Sequence, residues 1–137
     1  MFILRKILNG RTNVSEPLYM AAGVADETTF AAGTAVAYAD GVLAPVTGDA
    51  TAEYIVAATT TCKSATDRVP LILVTPYMLF EAPLTAPPTG MKVGSKYTLG
   101  TDGDSVTAIA VTSEHGAYVV DLCGATKTGD TILVRLA

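Results

Sequence analysis

The sequence predicts an all-β fold: a small β-barrel or sandwich of about eight short strands with an extended N-terminal arm. Dense apolar runs are broken by prolines, alternating segments are separated by Gly, Asp and Pro turns, and no convincing helical pattern follows the first few residues. The chain has 137 residues, 50% hydrophobic and 16% charged, which suits one domain with its own core. We expect residues 1–30 to form the arm and residues 31–137 the body.

The densest apolar sequence, RVPLILVTPYMLFEAPL, occupies residues 68–84. Its near-continuous runs do not alternate, which is typical of strands covered on both faces. Three prolines exclude a long helix or a membrane span through this stretch: Pro70, Pro76 and Pro83. The covering layer could come from the rest of the chain or from another subunit, and the sequence leaves both open. Within this stretch, the candidates for self-association are Tyr77, Leu79 and Phe80.

Two similar units flank this stretch. The first alternates through Thr34, Val36 and Tyr38, turns at Asp40-Gly41, and is followed by AEYIVAATTT (52–61), which predicts a hairpin and a further strand. The polar segment CKSATDR (62–68) predicts the turn into the central stretch.

The second unit begins with a predicted strand at residues 96–99. A turn follows at Asp102-Gly103, an alternating strand starts at Val106, AYVV comes next, and TILVRL (131–136) is the final strand. We interpret the pair as a quasi-repeat of a hairpin-plus-strand unit. Shared turn chemistry without a structural repeat is the alternative.

The N-terminal residues differ from the rest of the chain. Their apolar positions are spaced as on one face of a short helix, but Asn9-Gly10 ends the pattern after two turns, too short for stability without a partner surface. An extended arm is one interpretation of residues 11–30; a first strand and loop of the core is the other. The candidates for partner contact are Phe2, Ile3, Leu4, Arg5, Lys6, Ile7, Leu8 and Arg11.

The charge distribution is uneven within a net charge of −4. Three bases and no acid lie in residues 1–11, whereas the rest of the chain has six bases and thirteen acids. An acidic body is a poor binder of nucleic acid, so no nucleic-acid partner is expected. A basic tip suits an acidic partner or a neighbouring copy. The N-terminus lacks the pattern of a signal peptide, which predicts synthesis in a cytoplasm without export by that route.

No motif predicts catalysis, a metal or a cofactor. His115 is the only histidine and is expected in a surface turn. Asp102-Gly103-Asp104 resembles part of a calcium loop but lacks the further acids and the closing glutamate, so a turn is expected there. Cys62 and Cys123 match no ligand spacing and are expected to be unpaired thiols, although a disulfide stays open.

The segment AGTAVAYADGVLAPVTG (32–48) resembles the strand, Asp-Gly turn and Pro-containing return strand of small head decoration (capsid cement) proteins of tailed bacteriophages. KVGSKYTL (92–99) and GDTILVRL (129–136) are similar to later parts of such proteins. The resemblance implies a β-barrel-like body and an N-terminal arm lying on the shell. It also implies self-association around symmetry axes, with a homotrimer favoured, and binding to the major capsid protein on the virion exterior without catalysis.

The first hypothesis is therefore a non-enzymatic viral structural protein that decorates and stabilises a phage capsid. Deletion of residues 1–12 is then expected to abolish binding to shells while leaving the body folded. The alternative is a head-fibre or tail-associated adhesion module that binds host-surface glycans, which exposed aromatic clusters on one loop face would favour. An enzyme would require Asp40, Asp49, Asp102 or Asp104 to converge beside His115.

Overall fold

A computed structural model describes residues 1–7 and 17–136. In this part of the chain it contains thirteen strands and no helix, which confirms the all-β prediction and exceeds the expected number of strands. The strands are β1 (Ile3–Ile7), β2 (Leu18–Ala21), β3 (Thr28–Phe30), β4 (Ala35–Ala39), β5 (Val42–Pro45), β6 (Tyr54–Val56), β7 (Thr60–Cys62), β8 (Arg68–Leu73), β9 (Met78–Pro83), β10 (Lys96–Leu99), β11 (Val106–Ala110), β12 (Ala117–Asp121) and β13 (Thr131–Arg135).

The described strands form three antiparallel sheets, none of them closed into a barrel. The six-stranded sheet has the order β1-β9-β13-β12-β10-β11, the five-stranded sheet has the order β2-β8-β6-β4-β5, and β3 pairs with β7. The central apolar stretch therefore supplies one inner strand to each large sheet, β8 to the five-stranded one and β9 to the six-stranded one.

The predicted quasi-repeat is confirmed, and it is larger than the sequence indicated. In the first unit β4 pairs with β5 and β6, and in the second β10 pairs with β11 and β12. The shared order extends to β2-β8-β6-β4-β5 in residues 18–73 and β9-β13-β12-β10-β11 in residues 78–135. We call these segments the first and second repeats; β1 is added to the second, and β3 and β7 are inserted in the first.

The Asp40-Gly41 hairpin forms as expected, since Ala39 pairs with Val42 and both turn residues have positive φ, 51° and 77°. The predicted strand over residues 52–61 is instead divided into β6 and β7. The backbone leaves the sheet at Ala57, whose amide donates to the Pro70 carbonyl at 2.9 Å, and the chain then turns to pair with β3.

Two clusters of buried apolar side chains connect the sheets. The first contains residues of both large sheets, including Phe80 and Val134 of the six-stranded sheet and Ile55 of the five-stranded sheet. The second lies on the other face of the five-stranded sheet, where Leu71 is grouped with Phe30 of β3. The five-stranded sheet thus buries apolar side chains on both faces. No helix that could span a membrane is found in residues 1–7 and 17–136.

The N-terminal residues form a strand and not a short helix. β1 pairs with β9, opposite Met78 to Glu81, because the apolar side of β1 completes the first cluster. Phe2 is 2% exposed and makes an edge-to-face contact with Phe80 at a centroid distance of 6.4 Å. β2 and β3 pair with β8 and β7, so this described part of residues 11–30 lies within the sheets. Leu8 and Arg11 lie outside the described residues.

Candidate interaction surface

The six-stranded sheet has one covered face and one open face, and β1 shows the division. Leu4 and Ile7 pack against the first cluster, opposite Phe80 and Met78. Ile3 and Lys6 occupy the other face and are exposed. A register shift at Arg5 lets this residue reach the open face, where its Nε donates to Glu81 Oε2 at 2.8 Å. β1 therefore presents two bases and one apolar side chain outward while its inner residues anchor it.

Pairing across the sheet extends the basic character of β1. Lys6 lies opposite Leu79 of β9, Arg135 of β13 lies opposite Tyr118 of β12, and Tyr118 lies opposite Lys96 of β10. Because Val134 faces Phe80, Arg135 follows in register beside Leu79. Side chains opposite one another in a sheet share a face, so these residues form one row across five strands. We call Lys6, Leu79, Arg135, Tyr118 and Lys96 the basic row.

The basic row is ordered by local contacts. The Arg135 guanidinium lies 4.3 Å from the centroid of the Tyr118 ring, a cation–π arrangement. The Lys96 ammonium donates to the Glu114 carbonyl in the neighbouring loop. A parallel row holds Glu81 and Asp121, and the Arg5–Glu81 ion pair neutralises the first of these acids. The open face therefore has an excess of positive charge in a chain with a net charge of −4.

The three candidates for self-association do not share one surface. Phe80 is fully buried and Leu79 is 7% exposed, so neither offers a free apolar side chain to a second copy. Phe80 lies in the first cluster, whereas Leu79 lies on the other face of β9, between Lys6 and Arg135. Tyr77 precedes β9 and is partly exposed. The chain itself covers both faces of β8 through the two clusters, whereas β9 contributes only one face to a cluster.

His115 and the two cysteines lie on three different elements of the chain. His115 lies in the exposed loop between β11 and β12, where its amide donates to Ser113 Oγ. Cys62 and Cys123 are both free, as expected. Burial raises the pKa of the Cys62 thiol, with a further contribution from Asp67. Burial also raises the pKa of the Cys123 thiol, and Asp121 adds to it.

A cleft of about 340 Å³ lies where β3 meets the loop between β10 and β11. Hydroxyl and carboxylate groups of Thr28, Thr29, Asp102 and Asp104 line it. The aromatic ring in its lining, Phe30, is only 2% exposed and cannot stack on a sugar. In the described residues, no group of three or more His, Cys, Asp or Glu side chains could hold a metal ion. The cleft therefore favours neither the glycan-binding alternative nor a metal centre.

A second cleft, of about 190 Å³, opens between β1 and the five-stranded sheet. Its lining is almost entirely apolar and includes Ile3, Leu4, Ile55 and Ile72. Because Arg5 and Lys6 follow in the same strand, the apolar opening and the positive charge are neighbours. The edge of the sheet at β1 thus combines the two properties that the sequence assigned to the N-terminal residues.

Three residues of the basic row were not among the sequence candidates: Lys96, Tyr118 and Arg135. In each strand the polar residue points outward and its neighbour along the strand points inward and is apolar, as with Lys96 and the buried Tyr97. That alternation assigns a residue to a face, but only the pairing of β10, β12 and β13 brings the three together. Comparisons with protein-family models, with curated proteins and with solved structures find no match for this chain.

Proposed function

We propose that this chain is a non-enzymatic structural protein of a bacteriophage virion that decorates the capsid exterior and stabilises it by binding the major capsid protein. The proposal rests on the two-sided character of β1. Its inner residues are fixed in the core, while Ile3, Arg5 and Lys6 present an apolar and basic edge beside an apolar cleft. A subunit that is folded before it binds pays little ordering entropy on docking to a preassembled shell.

The proposal also includes the packing of the two large sheets and the oligomeric state. We infer that the two large sheets pack face to face as a β-sandwich, supported by the first cluster, whose members come from both. Self-association, with a trimer favoured, completes the proposed role, because cement subunits around a symmetry axis link several copies of the shell protein. Light scattering during size-exclusion chromatography tests this part: a stable trimer supports it, and a monomer both alone and on shells contradicts it.

The deletion of residues 1–12 is a poor test because it removes β1 and Phe2 from the core. The structure predicts that this truncation destabilises the body as well as the binding surface, since large-to-small changes at buried aromatic sites cost about 3–5 kcal/mol. Substitutions of outward residues separate the two effects. The useful pair is Ile3→Asp with Lys6→Glu, both on the open face.

The functional test is co-sedimentation with empty heads assembled from the major capsid protein of the same phage. We expect saturable binding by the wild type, an increase in the melting temperature of the shells, and at least a tenfold weaker affinity for the Ile3→Asp/Lys6→Glu variant. A matched control, Leu18→Asp with Lys63→Glu, changes an exposed apolar residue and an exposed base elsewhere. Absence of wild-type binding would refute the proposed function. An equal loss of affinity in the control would show that β1 is not the binding surface.

The enzyme and adhesion alternatives have less support in the arrangement of the described residues. Asp40, Asp49, Asp102 and Asp104 lie in turns or loops separate in sequence from the loop of His115. An adhesion module would be favoured by an exposed aromatic cluster beside the larger cleft, where the ring present is buried.

A further inference from the structure

The open face of the six-stranded sheet is the one face of the two large sheets that contributes to neither apolar cluster of the described residues. The five-stranded sheet is covered on one side by the first cluster and on the other by the second, to which β3 and β7 contribute. The six-stranded sheet contributes to the first cluster alone. Its other face carries the basic row and, in the next row, Ile3, Glu81, Leu133 and Asp121.

We propose that this open face docks on an acidic protein surface and that the basic row, including Lys96, Tyr118 and Arg135, is the recognition element. The inference rests on the proposed function, because it names the face and the partner chemistry through which a decoration subunit would bind. It extends the contact from the edge at β1 to the middle of the sheet.

Charge complementarity argues for an acidic partner. Four bases lie on this face: Arg5, Lys6, Lys96 and Arg135. Two acids accompany them, Glu81 and Asp121, and Glu114 lies in the loop that Lys96 contacts. The face is therefore positive although the chain is negative, so the remaining surface carries the excess of acid. Two copies meeting symmetrically through this face would place bases against bases, which disfavours a twofold dimer here.

The spacing of the basic row defines what it can recognise. Neighbouring strands lie about 4.8 Å apart, and two strand steps separate Lys6 from Arg135 and Arg135 from Lys96. The backbone positions of Lys6, Arg135 and Lys96 therefore repeat at intervals of about 10 Å over a span of about 19 Å. A protein surface with several carboxylates across that span would pair with the three bases.

The chemistry of the row favours protein over nucleic acid. Arg and Tyr are enriched at the centres of protein interfaces, and Arg135 is already ordered on the Tyr118 ring, so little side-chain freedom is lost on docking. Glu81 and Asp121 lie in the next row and would repel a phosphate backbone running along the sheet.

The test measures binding of the full chain to immobilised poly-L-glutamate and, in parallel, to empty heads. The test variant is Lys96→Gln/Arg135→Gln. The matched control, Lys63→Gln/Lys127→Gln, removes the same charge from loops outside the open face. A conservative variant, Lys96→Arg/Arg135→Lys, retains the charge and reports on folding, with thermal melting recorded for all. We expect the test variant to bind poly-L-glutamate at least tenfold more weakly, the other two to bind within about twofold of wild type, and wild-type affinity to fall steeply between 50 mM and 300 mM salt.

The outcomes separate this inference from the proposed function. Binding to heads by wild type and test variant alike, or no wild-type binding to poly-L-glutamate, overturns the docking face and leaves the proposed function standing. Binding to poly-L-glutamate through the basic row without any binding to heads keeps the docking face and overturns the proposed function. Tighter binding to single-stranded DNA than to poly-L-glutamate, or a concentration-dependent oligomer lost only in the test variant, assigns the face to another occupant and also overturns the inference.

Discussion

The first and second repeats share one strand order but differ in how many of their faces are buried. In the first repeat, Ile72 packs against the first cluster while its neighbour Leu71 lies in the second, so consecutive side chains of β8 are covered on opposite sides. In the second repeat, Val134 lies in the first cluster whereas Leu133 belongs to neither. A common topology therefore does not determine which faces become core.

The difference originates in two short insertions. β3 follows β2 and β7 follows β6 in the first repeat, and together they bring Phe30 and Cys62 over the outer face. The corresponding connections of the second repeat, residues 84–95 and 122–130, contain no named strand. The outer face of the second repeat consequently stays open, and it is this face that carries the basic row.

The largest expected contrast is in the free energy of unfolding of two variants, Leu71→Ala and Leu133→Ala. Leu71 and Leu133 occupy corresponding sides of β8 and β13, the sides that face away from the first cluster. Leu71 is fully buried, so its truncation should lower the free energy of unfolding by about 3 kcal/mol. Leu133 is partly exposed, and we expect a loss of about 1 kcal/mol or less. Urea unfolding of both variants measures the difference. Equal losses would mean that another layer covers the second repeat as well.

The Asp-Gly turns provide a second contrast. Gly103 has φ +69°, and a Cβ there would lie 2.8 Å from the Ala35 carbonyl oxygen and 2.9 Å from that of Val46. Gly41 has φ +77° but nothing within 4 Å of such a Cβ. We expect Gly103→Ala to cost about 2–3 kcal/mol and Gly41→Ala about 1 kcal/mol, since only the first adds a backbone clash to conformational strain.

Chemical denaturation of these two glycine variants distinguishes a glycine whose α-carbon packs against distant backbone from one whose α-carbon has open space around it. A cost at Gly103 no greater than at Gly41 would contradict the close approach of the second turn to β4 and β5. Such a result would also question the hydrogen bond that the Ala35 amide donates to the Gly103 carbonyl at 2.7 Å, which joins the two repeats.

Local chemistry made part of this fold predictable from the sequence. Asp40-Gly41 specifies a hairpin through residues that tolerate positive φ, and the alternation around Tyr97 defines β10 with the predicted bounds. The same Asp-Gly signal in the second unit predicted a reversal but neither its length nor its docking. Turn residues specify local φ values, whereas the position of a loop depends on distant surfaces.

Other elements could not be predicted because their stability comes from partners far along the chain. β2 and β3 have four and three residues and no apolar period of their own. β1 is stabilised by β9, more than 70 residues away, so its short helical spacing was misleading. The basic row has the same origin: Lys6, Lys96 and Arg135 share a face only through strand pairings that no local pattern encodes.

The smallest expected effect concerns a feature that the two repeats share, the loops that lead into β8 and β13. Asp67 accepts the amides of Lys63 and Ser64 at 2.7 and 3.2 Å, and Asp130 accepts those of Thr126 and Lys127 at 2.9 and 3.1 Å. These backbone hydrogen bonds lower the pKa of both carboxyls, with the Lys63 amide the largest cause at Asp67 and the Thr126 amide at Asp130.

Because both carboxyls have a lower pKa in the folded than in the unfolded state, their contribution is complete above the ordinary aspartate pKa and is lost as the pH falls through the folded value. We therefore expect Asp67→Asn and Asp130→Asn each to lower the urea midpoint slightly at pH 7 and to flatten its decline between about pH 5 and pH 2. The double variant should show the sum of the two changes in urea midpoint, since the loops lead into strands of different sheets. A change in only one variant would show that the shared loop geometry does not stabilise the two repeats alike.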